Sequence, residues 1–222
     1  MSAGTIVQSP DGTEIVLGEI GQRILLVNSR VRVWEVTLQP GGTQPWHLHH
    51  NPYVVLCLRT SDCRMDWLDG TPPWFIREEV GGAIYRPVSP VHMLTNYGDT
   101  TYRNRLIELL DLGEEASGQP PVGGDAAART GEGTSSELSG STSVLEIDEV
   151  HVRRLTVAPG TEQTWTAGRL PVVVVPLEGS PAVDASPDGG VRYLAPGADH
   201  TFANPGPLPC DFQIIELAYL GD

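Results

Sequence analysis

Val33-Trp-Glu-Val-Thr-Leu-Gln-Pro-Gly41 is the stretch that decides the fold. Trp34, Val36 and Leu38 alternate with Glu35, Thr37 and Gln39, the period of a strand with one buried face. Pro40-Gly41-Gly42 ends it with turn chemistry. The same pattern continues outward. Val54 to Leu58 reads as a continuous apolar strand, Asp69-Gly70 as a turn and Tyr102 to Leu110 as a closing strand. No amphipathic helix stands out. Short β-branched runs, 25 glycines and 19 prolines among 222 residues predict an all-β chain with many turns. A closed barrel or double-sheet roll is the architecture that limits its exposed edges.

The deciding stretch occurs twice. Val33 to Gly41 lines up with Val152-Arg-Arg-Leu-Thr-Val-Ala-Pro-Gly160, in a register that sets Trp46 opposite Trp165 and Pro52 opposite Pro171. A deletion of 11 residues in the second copy then brings His92-Met-Leu-Thr-Asn96 onto His200-Thr-Phe-Ala-Asn204, and Ile107-Glu-Leu109 onto Ile215-Glu-Leu217. Four matches in order imply a tandem duplication. Between the copies the chain is acidic and rich in Gly and Ser, with almost nothing to bury, so a flexible linker is expected there. The expected division is an N-terminal barrel over 1–112, a linker over 113–143 and a C-terminal barrel over 144–222.

Composition narrows the function classes. The formal charge of −14 repels a nucleic-acid duplex or an anionic membrane, so neither is expected as a partner. No apolar run approaches a membrane span, and the first ten residues lack the basic start and apolar core of a signal peptide. Cys57, Cys63 and Cys210 are odd in number and lack metal-ligand spacing, so no disulfide framework is expected, and Cys57 reads as a buried thiol. These features together predict a cytoplasmic protein.

Pro45-Trp-His47-Leu-His49-His50-Asn-Pro-Tyr53 carries the strongest chemical signal. Histidines at i and i+2 on an extended segment project to one side, so His47 and His49 can aim at a single point. Neutral imidazole suits zinc, iron, nickel or copper. His92, in a later β segment, is the natural third ligand. His50 has the opposite parity and is expected to face away.

Pro40-Gly41 … His47-Leu-His49 … Tyr53-Val-Val-Leu56 resembles the first motif of the cupin superfamily, and Gly82-Ala-Ile-Tyr-Arg-Pro-Val-Ser-Pro-Val-His92-Met-Leu-Thr-Asn96 resembles the second. The likeness spans about 31 to 111, and more weakly about 150 to 220. It implies two cupin-type double-stranded β-helix (jelly-roll) barrels in tandem, the second degenerate. Cupins usually place a glutamate four or five residues after the second histidine. Here those positions hold Tyr53 and Val54. The resemblance therefore points to a three-histidine site at His47, His49 and His92 with open positions, as in cupin-type dioxygenases. Tyr53 is left as a ligand, an acid/base or a packing residue. The implied cofactor is a divalent metal, Fe(II) first and Zn, Mn or Ni behind it.

The expected function is a metal-dependent enzyme acting on a small organic molecule, with dioxygenation ahead of isomerase, cyclase or lyase chemistry and Tyr53 as the candidate catalytic group. A non-catalytic small-ligand-binding cupin is the alternative. A monomeric pseudo-dimer or a homodimer is the expected assembly. In the second copy Thr166 and Gly168 stand where His47 and His49 stand, so His200 alone remains and a structural barrel is expected. Asn96 and Asn204 read as turn formers. Arg86, Arg103 and Arg105 bind a carboxylate only if they face inward, solvent being the default for each. Trp67, Trp74 and Phe75 lie in a segment absent from the second copy, as a lid, a pocket wall or packing.

Overall fold

The computed structural model describes residues 3–113, 122–123, 138–177, 179–180 and 185–221. The chain divides into two compact units, Met1–Val122 and Gly123–Asp222. Among the described residues there is no long helix, a 3-10 turn lies at Ala218–Leu220, and no helix is long and apolar enough to cross a membrane. The expectation of an all-β chain holds.

In the first unit, β1 (Ile6–Gln8) and β2 (Glu14–Val16) form a hairpin. The remaining strands are β3 (Arg23–Val27), β4 (Val31–Leu38), β5 (Thr43–His47), β6 (Tyr53–Arg59), β7 (Cys63–Trp67), β8 (Trp74–Ile76), β9 (Ala83–Arg86), β10 (His92–Asn96), β11 (Tyr102–Leu109) and the two-residue β12 (Val122–Gly123). They make a six-stranded sheet, β12-β9-β6-β11-β4-β3, and a four-stranded sheet, β5-β10-β7-β8. Apart from the β3–β4 and β7–β8 pairs, neighbours within these two sheets are non-consecutive strands, as in a jelly roll. Val36 and Leu38 of the larger sheet pack with Met65 and Leu94 of the smaller, so the alternation read in β4 is what joins the two layers. Each fully buried Leu or Val contributes roughly 1.5–3 kcal/mol, which makes such layers the main source of stability. Gly41 closes the β4–β5 turn at φ 77°, a left-handed conformation that a side chain would strain; Gly160 does the same in the second unit at φ 67°.

The second unit has β13 (Ser141–Glu146), β14 (His151–Val157), β15 (Thr161–Thr166), β16 (Val172–Pro176), β17 (Arg192–Leu194), β18 (Asp199–Asn204) and β19 (Cys210–Glu216). The sheets are β13-β14-β19-β16-β17 and β15-β18. Strand for strand this matches β3, β4, β11, β6 and β9, and then β5 and β10. No counterpart of the β7–β8 hairpin is present among the described residues.

Most of the segment expected to be a linker, residues 114–121 and 124–137, lies outside the described residues. Its end differs from expectation. Ser141 to Ser143 belong to β13, paired with β14, and Leu138 is buried in the second core. An edge strand facing solvent needs few apolar side chains, so β13 carries the polar composition of a loop.

Candidate metal centre

The larger sheet turns its inner face toward the smaller across a cavity of about 40 Å³. His47, His49, Tyr53, Glu78, Arg86 and His92 are among its lining residues. His47 ends β5 and His92 begins β10, and the two residues sit directly opposite each other in that antiparallel pair. His49 follows two residues after His47 and lands beside them, as the i, i+2 parity predicts. One nitrogen from each ring lies within 4.8 Å of the others, and all three residues are buried. His50 is not part of this group, in line with its opposite parity.

Backbone carbonyls fix two of the rings. His47 Nδ1 donates to the Pro45 carbonyl at 2.7 Å, and His92 Nδ1 donates to the Pro90 carbonyl at 2.8 Å. A carbonyl only accepts, so in each neutral ring the proton sits on Nδ1 and the Nε2 lone pair is left for a ligand. The third ring is held differently. Tyr53 stacks on His49 with centroids 3.8 Å apart and planes 17° from parallel. Both nitrogens of His49 are buried without a hydrogen-bond partner. An unsatisfied buried polar atom costs about 1–3 kcal/mol, so it calls for an occupant. A metal ion fits this donor set: three imidazoles, two with their coordinating nitrogens preset and one otherwise orphaned.

The electrostatics favour neutral donors. Burial holds His47 down to about 4. Burial and then the neighbouring imidazoles hold His49 well below the ordinary range; burial and then His47 do the same to His92. Metal coordination requires that neutral form. Among the described residues no carboxylate completes the group.

Tyr53 points into the cavity. Burial raises its phenol, which lies 3.3 Å from Ser89 Oγ, so its hydroxyl is a neutral hydrogen-bonding group in the wall. Val54 faces the opposite side of β6. Arg103 and Arg105 do not reach the cavity. Both pair with Glu35, and Arg105 is fully buried there, which corrects solvent as its default. Arg86 does face inward.

Glu78 was not singled out from sequence. It is buried in the cavity wall, burial raises its carboxyl, and Tyr102 donates to its Oε2 at 2.7 Å. Nothing local distinguishes it from the adjacent Glu79. A usable signal did exist at the histidines: Pro45-Trp-His47 and Pro90-Val-His92 share a Pro-x-His spacing, and it is those two prolines that orient the rings.

Asn96 and Asn204 act as turn anchors in equivalent places. Asn96 Nδ2 donates to the Leu38 and Thr100 carbonyls, and Asn204 Nδ2 donates to those of Val157 and Leu208. Trp67 packs in the core with its ring centroid 5.4 Å from that of His92. Trp74 contacts Trp67, and the exposed Phe75 packs on Tyr97.

No protein-family model matches the chain, and no curated protein matches it in sequence. Solved structures do resemble it. A variant of Bacillus subtilis oxalate decarboxylase is 14% identical with a TM-score of 0.54, over 86% of this chain and 69% of that one. Bacillus subtilis oxalate decarboxylase at pH 4.6 is 14% identical with a TM-score of 0.54, over 85% and 68%. A cupin domain from Bordetella pertussis Tohama I is 24% identical with a TM-score of 0.37, over 49% of this chain and 97% of that one. The oxalate decarboxylase matches, with TM-scores above 0.5 at such low identity, speak to fold alone: the chain has an all-β, cupin-type jelly-roll fold.

Proposed function

We propose that the chain is a tandem pair of cupin units whose first unit is a metal-dependent enzyme acting on a small organic molecule. The proposed reaction is dioxygenation with Fe(II). The second unit is read as a degenerate copy. The observation that carries the reading is the buried group of three neutral imidazoles without a fourth protein ligand among the described residues. When bound, the metal would supply Lewis acidity and coordination positions left open for O₂ and substrate.

The chain's own residues then have distinct tasks. The Pro45 and Pro90 carbonyls keep His47 and His92 in the ligating tautomer, and Tyr53 keeps the His49 ring in plane. The cavity is narrow and lined mainly by buried residues, a setting in which polar contacts count for more than in water. Tyr53 Oη, backed by Ser89, is the group proposed to hold or pass a proton.

One observation favours a second reading. Glu78 presents a raised carboxyl to the same cavity, a form suited to donating a proton in isomerase or lyase chemistry without O₂. Metal analysis of protein purified without chelators is the first test, and about one divalent ion per chain is expected. Oxygen uptake across diketones, thiols and enols is the second. Substoichiometric metal ends both readings. Stoichiometric metal with turnover but no O₂ uptake replaces dioxygenation by the Glu78 chemistry.

A further inference from the structure

We propose that the first unit's cavity takes a small organic carboxylate, anchored by the guanidinium of Arg86 beside the three-histidine centre. This rests on the metal-enzyme reading and names its substrate class.

Arg86 ends β9 directly across from Tyr53 of β6, so the two side chains share the sheet face that lines the cavity. It is only 5% exposed. Among the described residues no hydrogen bond or ion pair involves its guanidinium, whereas every other arginine of the first unit has a partner. A buried guanidinium without a counter-ion is costly to maintain, which points to an anion in the working state.

Among the described residues Glu78 is the single carboxylate in the cavity wall. Its carboxyl feels the charge of Arg86, but it is bonded to the Tyr102 hydroxyl and not to the guanidinium. Even with Glu78 ionised, Arg86 and a divalent ion leave the cavity with two net positive charges. An anionic guest is the electrostatic complement.

Shape selects a carboxylate over a phosphate. A guanidinium fork meets a planar carboxylate through two parallel hydrogen bonds. A phosphate asks for more donors than one arginine offers, and the chain has no lysine. The cavity is narrow, about 40 Å³, so the acid is small.

The test is titration calorimetry of the whole chain, as purified and after chelation. The probes are acetate, pyruvate and malonate, each against its neutral amide, with inorganic phosphate in parallel. At least one acid should bind ten-fold or more tightly than its amide, to chelated as well as metal-loaded protein. Arg86→Met should erase that preference while metal content is unchanged. Equal binding of every acid and its amide, or tighter binding of phosphate, overturns the proposal. So does an Arg86→Met variant that keeps the preference.

If Arg86→Met does not fold, the Nε–H resonance of Arg86 in the wild-type protein decides. It should shift with the acid and stay still with the amide, and an unmoved resonance is a refutation. The two readings fail separately. An acid preference in a protein that binds no metal removes the enzyme proposal alone. Stoichiometric metal without an acid preference removes this one alone.

Discussion

Metal-free protein should lose stability steeply as pH falls from about 6.5 toward 4, with His47 a main cause. In the unfolded chain an imidazole titrates near 6.5, whereas burial holds His47 down to about 4. Between those values the unfolded state binds a proton that the folded state refuses, so the stabilisation is complete above the window and is lost as pH falls through it. A displacement of about 2.5 units corresponds to about 3 kcal/mol. His49 and His92, both also depressed, act in the same direction. Glu78 and Glu108 oppose them. Their carboxyls are raised mainly by burial, so their stabilisation is present at low pH and fades as pH rises. Three imidazoles that refuse protons outnumber two carboxyls that hold them, so on balance stability falls as pH falls through this window. His47→Gln isolates one imidazole, because the carboxylates are common to both proteins. Urea unfolding with chelator present, followed by tryptophan fluorescence in a Trp165→Phe background, reports the first unit. The His47→Gln curve should be flatter, its loss between pH 6.5 and 4 smaller by about 3 kcal/mol. Parallel curves would mean that His47 is not held neutral by burial, and the preset donor set would lose its electrostatic basis.

His49→Ala should drop bound metal below about one-tenth of an equivalent, since two imidazoles hold an ion poorly, while His200→Ala leaves it unchanged; elemental analysis checks both, and a drop in the latter would give the second unit a share of the site. Asn96→Ala removes bonds to Leu38, Thr100, Ser61 and Gly98 at a fully buried position, and should cost about 2–4 kcal/mol by urea unfolding; a cost under about 1 kcal/mol would make the anchor dispensable. Tyr53→Phe keeps the stack on His49 and loses the hydroxyl, so metal content should hold while turnover falls about 100-fold; undiminished turnover would reduce Tyr53 to packing.

What could be read from sequence was what depends on local period. The alternation of Trp34, Val36 and Leu38 fixes which face of β4 is inward, and the i, i+2 spacing fixes that His47 and His49 share a side. What stayed hidden depends on register between strands far apart in the chain. Arg86 faces the cavity because it pairs with Tyr53, and Arg105 faces Glu35 because those two residues pair across β11 and β4. Neither pairing leaves a trace within its own strand. Both look like the exposed arginines that most strands carry. β13 was missed for a related reason, since the residues that define an edge strand are those of its neighbour.

The contrast between the two copies turns on a single proline as much as on lost histidines. In the first unit Leu94 pairs with Gln44 and His92 with His47, so β5 advances three residues while β10 advances two. The extra residue falls at Pro45 and Trp46. Proline has no N–H to give the ladder and is tolerated on an edge strand such as β5, where a bulge is cheap. That shift brings His47 opposite His92, and the Pro45 carbonyl then orients the His47 ring. In the second unit Thr164 replaces the proline and the ladder runs without interruption. Trp165 therefore faces His200, and Thr166, the residue aligned with His47, pairs with Asp199 instead. The first copy thus owes its donor set to a register defect that its twin lacks, and histidine identity alone does not account for the difference.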